Sequence, residues 1–116
     1  MFREMIAQGV KVIFCPSYWC IGDAGAGIHY DNKSEVKLVN STCISRAFEN
    51  GIVLVFANAA GMLTIPKWNF SDTLVGRSQI TVPFKGAIKK LNHNHEEMFI
   101  QEVAEDVYGI KKDLLN

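Results

Sequence analysis

The sequence predicts a layered α/β fold, and three observations carry that expectation. Two short apolar runs rich in β-branched residues, 10–14 and 52–57, each follow a stretch of helical periodicity closed by a glycine. Helix, glycine and apolar strand in that order form the second half of a βαβ unit. Strands this uniformly apolar belong inside a sheet covered on its faces. After residue 75 the pattern changes to short segments broken by Pro83, Gly86 and a polar stretch, which reads as an antiparallel meander. The expected architecture is a sandwich of sheet and helix.

The elements follow in order. Residues 2–8 place Phe2, Met5 and Ile6 on one helical face, and Gly9 is a natural stop. No start signal precedes this helix, so the chain is expected to begin inside an element. Residues 10–14 (VKVIF) form a buried strand, which Pro16 should stop. Cys15-Pro16-Ser17-Tyr18-Trp19-Cys20 then lies at a strand's carboxyl end, where open α/β sheets bind ligands. Residues 22–27 (GDAGAG) read as a flexible loop. Their glycine spacing fits neither the dinucleotide nor the phosphate-loop pattern, and no Lys follows at the required place.

A second helix is expected over 34–50, with Ser34 as N-cap and Gly51 as stop. Val36, Val39, Cys43 and Ala47 form its apolar stripe, widened by Ile44 and Phe48. Residues 52–57 are the second buried strand, ending at Asn58. Residues 62–75 read as a long loop carrying Pro66, Trp68, Phe70 and Asp72. Then come a strand over 78–82, a turn over 83–86, a returning strand over 87–91, a polar turn over 92–96 and a last strand over 97–103. No internal repeat is visible. The sheet so assembled has open edges and one face short of cover, which is an aggregation hazard.

Composition narrows the function. The chain has 116 residues, 48% of them hydrophobic, with Lys+Arg and Asp+Glu at 12 each. Zero formal net charge argues against a nucleic-acid partner or an acidic membrane surface, both of which favour a basic face. No apolar run is long enough to cross a bilayer, and the N-terminus is not a secretory signal. Three cysteines, Cys15, Cys20 and Cys43, fit neither a disulfide framework nor a zinc site. A reducing, cytoplasmic setting is the expectation, so the three Asn-x-Ser/Thr patterns at Asn32, Asn40 and Asn69 are read as chance.

Four segments together resemble the nitrilase superfamily of carbon–nitrogen hydrolases. Residues 2–19 (FREMIAQGVKVIFCPSYW) are similar to the helix after that family's nucleophile, the following strand and its Pro-Ser end. Arg46-Ala47-Phe48-Glu49-Asn50 resembles the family's Arg-Ala-x-Glu-Asn. Ala57-Asn58-Ala59-Ala60-Gly61 resembles its Ala-Asn-x-x-Gly. Gly76-Arg77-Ser78-Gln79-Ile80 with Pro83-Phe84-Lys85-Gly86 is similar to Gly-x-Ser-x-Ile followed by Asp-Pro-x-Gly, with Val82 where the family has Asp. The likeness spans 1–103, and the tail 104–116 shares it only loosely.

The resemblance implies an α-β-β-α sandwich, of which 1–116 would form the C-terminal part, and assembly as a dimer. It also implies a Glu-Lys-Cys triad. The Cys thiolate attacks a nitrile or amide carbon, the Glu moves protons, and the Lys stabilises developing negative charge. None of the three maps onto this chain, so no catalytic residue is assigned. The expected function is that of a truncated hydrolase, inactive alone and needing no cofactor. Its substrate would be a small-molecule nitrile or amide, and its partner a second copy or an N-terminal chain. The alternative is a non-catalytic interaction module.

Several residues admit two readings. Tyr18 and Trp19 could line a substrate pocket or plug a loop. Asn58 could bound the site or make a structural hydrogen bond, since a buried amide needs partners. Arg46 and Glu49, three apart on a helix, form a structural ion pair. Cys15 at a strand end could be a nucleophile, but no activating group is near it in sequence, and a small buried hydrophobe is the expectation. Cys43 belongs to the apolar stripe. His93-Asn94-His95 lies in a polar turn without a completing ligand, so no metal is expected.

Overall fold

The computed structural model describes residues 1–104. Helix α1 (Phe2–Ala7) leads to strand β1 (Val12–Ser17), then a 3-10 segment (Ile21–His29), helix α2 (Ser34–Asn50) and strand β2 (Val53–Asn58). A hairpin follows, β3 (Met62–Ile65) and β4 (Phe70–Thr73), and then β5 (Gln79–Val82) and β6 (Gly86–Lys90). The main sheet has the order β1-β2-β5-β6. β1 and β2 are parallel, with Val12 opposite Val53 and Ser17 opposite Asn58. The remaining neighbours are antiparallel. The mixed α/β class therefore holds, with one four-stranded sheet and a separate two-stranded one among the described residues.

Both predicted helix stops sit where the backbone turns left-handed, Gly9 at φ 86° and Gly51 at φ 60°. Glycine carries no steric penalty there. The start of α2 is different from the expectation. Lys33 is the N-cap, and the Ser34 hydroxyl is buried without a partner. Asp31 organises this turn instead. Its carboxylate accepts the Lys33 N–H at 2.8 Å and the Lys37 ammonium, and its carbonyl accepts the Ser34 N–H at 3.1 Å. These contacts, the Lys37 hydrogen bond foremost, hold the Asp31 carboxyl below its ordinary range.

Pro16 does not stop β1, which runs on to Ser17. The Ser17 carbonyl accepts the Ala59 N–H, so odd-numbered residues face β2 and Pro16 faces outward. β1 is an edge strand, where a missing N–H breaks no ladder bond. The glycine-rich 22–27 stretch is not a loop but part of the 3-10 segment, kinked at Gly25 (φ 55°). Asp23 accepts the Cys20 N–H at 2.9 Å and Asp72 accepts the Gly22 N–H at 3.1 Å. Residues 62–75 also depart from a plain loop. Met62 to Ile65 pairs antiparallel with Phe70 to Thr73 across a tight turn at Pro66–Trp68, closed by left-handed Asn69. Conversely, no strand forms over 97–103. Phe99 and Val103 pack onto the sheet's face rather than pairing along its edge.

The core lies between α2 and the sheet. Ile13, Leu54 and Phe56 point into it from the strands, and Val39, Cys43 and Ala47 from the helix. Ile44 and Phe48 do not widen the stripe. They flank it at 37% and 44% exposure, and Phe48 meets Phe84 edge to face at 5.8 Å. Two buried polar residues on β5 face α2: Thr81 donates to the Cys43 carbonyl at 3.1 Å, and Gln79 donates to Asn40 at 3.0 Å. On the opposite face, Val53, Ile80 and Val82 are covered by Phe99 and Val103. Phe14 on that face is 73% exposed. Among the described residues β1 is an edge strand and Phe14 leaves part of this face open. The tail beyond Ala104 lies outside the described residues.

Candidate functional site

β6 runs in the same direction as β1 and β2, so the carboxyl ends of three strands meet at one end of the sheet. A cleft of about 340 Å³ opens there, lined by Asn58, Gly76, Arg77, Ser78, His93 and Glu97 among others. Its position agrees with the rule that ligands sit beyond strand carboxyl ends.

Asn58 stitches this end together. Its Oδ1 accepts the Trp19 N–H at 2.8 Å, its Nδ2 donates to the Gly76 carbonyl at 3.0 Å, and its own N–H donates to Ser78 Oγ at 2.9 Å. The Ser78 hydroxyl returns a bond to the Asn58 carbonyl at 3.2 Å. One side chain thus ties the segment after β1 to the segment before β5. Asn58 also lines the cleft.

Trp19 is anchored at both ends. Its carbonyl accepts the Val75 N–H at 2.9 Å, and its indole N–H donates to the Glu35 carboxylate. Glu35 is only 7% exposed, on the first turn of α2. A buried carboxylate requires such a donor. The ring packs against the helix-side core. Tyr18, its neighbour, is 74% exposed and does not line the cleft.

Arg46 and Glu49 stand at the other end of the molecule, on the last turns of α2. Arg46 Nη1 lies 3.2 Å from Glu49 Oε2. Both are solvent-exposed, where such a pair contributes little, on the order of 0–1 kcal/mol. With Phe2, Arg3 and Asn50 they line a second cleft of about 510 Å³.

The thiols do not gather into a nucleophilic site. Cys43 is buried and its thiol is pushed up to about 12, by burial first and by nearby Cys15 second. Cys20 is also raised, by burial, then by Asp72 and Asp23. A thiol held protonated is a poor nucleophile at neutral pH. Cys15 is half-buried and packs against the helix-side core.

Sequence reasoning missed Glu35, Arg77 and His93 as members of this end. Glu35 falls four residues before Val39 on the apolar stripe, a position that signals burial. Arg77 was visible only as the variable position of a Gly-x-Ser pattern. His93 is part-buried, stacks on His95 at 5.2 Å and lies 3.5 Å from Glu97. Among the described residues no group of His, Cys, Asp and Glu could hold a metal ion, and no helix is long and apolar enough to cross a membrane.

The fold and the cleft define a mixed α/β protein with a carboxyl-end site. Compared with protein-family models and with curated proteins, the chain matches none.

Proposed function

We propose that this chain is the C-terminal part of a nitrilase-type carbon–nitrogen hydrolase. Joined to the segment that carries the Glu, Lys and Cys, it completes an enzyme that cleaves a nitrile or amide bond of a small molecule. The observation that carries this reading is the half-finished sheet. Among the described residues β1 has no neighbour on its outer side, and its Phe14 is largely bare, while the α2 face is sealed. The resemblance puts the nucleophile's strand beside β1 and a second sheet against the bare face.

In the completed enzyme the thiolate attacks the carbon. An amide expels ammonia to leave a thioester, a nitrile gives a thioimidate that one water converts to the thioester with loss of ammonia, and a further water then releases the acid and restores the thiol. This chain's contribution is positional. Asn58, Ser78 and the Trp19–Glu35 anchor hold the strand ends rigid beneath the reacting groups, which is what a catalytic scaffold must do.

Co-expression with an upstream half bearing Glu, Lys and Cys tests the proposal. Ammonia release from small nitriles or amides by the co-purified pair is the expected result, with none from the chain alone. Hydrolysis by the chain alone would overturn the assignment of catalysis to the missing triad. An inactive pair would overturn the enzyme reading.

A second reading is a binding module. α2 turns Leu38, Ile44 and Phe48 partly outward, an apolar surface suited to another copy or a relative. Association without hydrolysis favours it.

A further inference from the structure

The carboxyl-end cleft has charges of both signs arranged around a small volume. Arg77 supplies the cation. Its backbone is left-handed at φ 59°, a conformation that non-glycine residues adopt sparingly. Such outliers persist where surrounding structure imposes them, and they cluster at ligand sites. The imposition is visible here. Arg77 N–H donates to the His93 carbonyl at 3.1 Å, Gly76 N–H to the Ala59 carbonyl at 3.2 Å, and Gly61 N–H to the Asn94 carbonyl at 2.7 Å. At Gly76 an added Cβ would sit 2.5 Å from Asn94 Cα and 2.7 Å from the His93 carbonyl oxygen. The two loops are in backbone contact, so the base of Arg77 is fixed.

The guanidinium has little to hold within the protein. Its Nη1 donates to the Val75 carbonyl at 3.0 Å. Among the described residues no carboxylate lies within 4.0 Å of it. Arg77 is among the residues lining the cleft, and a planar guanidinium fork suits paired carboxylate oxygens. The 93–97 loop supplies the opposite sign through Glu96 and Glu97. Glu97 approaches His93 at 3.5 Å and keeps half of its surface in solvent.

A plain anion in this cleft would meet two carboxylates, and a plain cation would meet the guanidinium. A ligand with both charges a few bonds apart satisfies each wall. The volume of about 340 Å³ stands at the small end of ligand pockets. We infer that the cleft binds a small zwitterion of the amino-acid type. Arg77 takes the carboxylate, and Glu96 and Glu97 take the ammonium. Resting on the hydrolase reading above, this makes the substrate an amino acid that bears a nitrile or amide.

Equilibrium dialysis of the full chain with three probes tests the inference. L-asparagine carries both charges, succinamate lacks the ammonium, and 3-aminopropanamide lacks the carboxylate. The unmodified chain should bind asparagine more tightly than either. Arg77→Asn keeps a residue tolerant of the left-handed backbone. It should weaken asparagine about tenfold or more, the scale of a charge-assisted hydrogen bond, and leave 3-aminopropanamide unchanged. The double change Glu96→Gln with Glu97→Gln should weaken asparagine and spare succinamate. No asparagine binding, or equal losses for all three probes in both variants, overturns the inference.

The two readings fail separately. Zwitterion binding with no hydrolysis by the completed pair leaves this inference standing and removes the enzyme. Hydrolysis by the completed pair of neutral nitriles, with no preference for zwitterions, does the reverse.

Discussion

The two faces of the main sheet are made of the same kinds of residue and have different fates. Toward α2, Ile13, Leu54 and Phe56 interlock with Val39, Cys43 and Ala47 and lose nearly all contact with water. On the other side, Val53, Ile80 and Val82 are covered by Phe99 and Val103, while Phe14 stays open. The strand residues alternate between these faces, so hydrophobicity alone cannot decide which face is sealed. The covering element decides. A helix that returns between parallel strands must lie on the sheet, whereas an irregular segment shields only what it crosses.

Breaking the sealed face should give the largest effect. Leu54→Ala removes a buried side chain from the centre of that packing and should cost about 2–5 kcal/mol. A lowered urea midpoint or loss of cooperative unfolding checks it. The clasp at the strand ends comes next. Asn58→Ala leaves the Trp19 N–H and the Gly76 carbonyl without their partner, costing about 1–3 kcal/mol. A shift in Trp fluorescence should accompany the loss. Phe14→Ser should change the stability of the chain alone by less than about 0.5 kcal/mol, because the ring is already in water. It should nevertheless weaken capture of the upstream half in a pull-down. Equal stability losses from Leu54→Ala and Phe14→Ser would mean that the faces do not differ.

The sequence carried the backbone punctuation well where a residue's own chemistry sets it. Gly9 and Gly51 stop their helices by adopting left-handed angles, and no distant contact is needed to see that. Pro16 was misleading because its effect depends on which way it faces, and facing is fixed only by pairing with β2. Residues 62–73 hid a hairpin, since Pro66 and Trp68 interrupt two four-residue runs too short to announce themselves. Residues 97–103 had the composition of a strand but pack face-on. At the site, Asn58 stood out as a polar break in an apolar run, and its three partners come from residues 19, 76 and 78, distant in sequence. Arg77 and Glu97 give no local signal at all. Their significance comes from a contact between loops that only the folded chain creates.

The outward turn of Pro16 has a consequence for self-association. Along the free side of β1, the even-numbered residues present their backbone groups, so Val12 and Phe14 offer N–H donors and Pro16 offers none. A visiting strand finds a short docking rail with a dead stop at one end. A row of donors interrupted after two residues is a poorer template for stacking of identical copies than an unbroken one. A proline at an exposed strand edge is one of the devices that discourage edge-to-edge pairing.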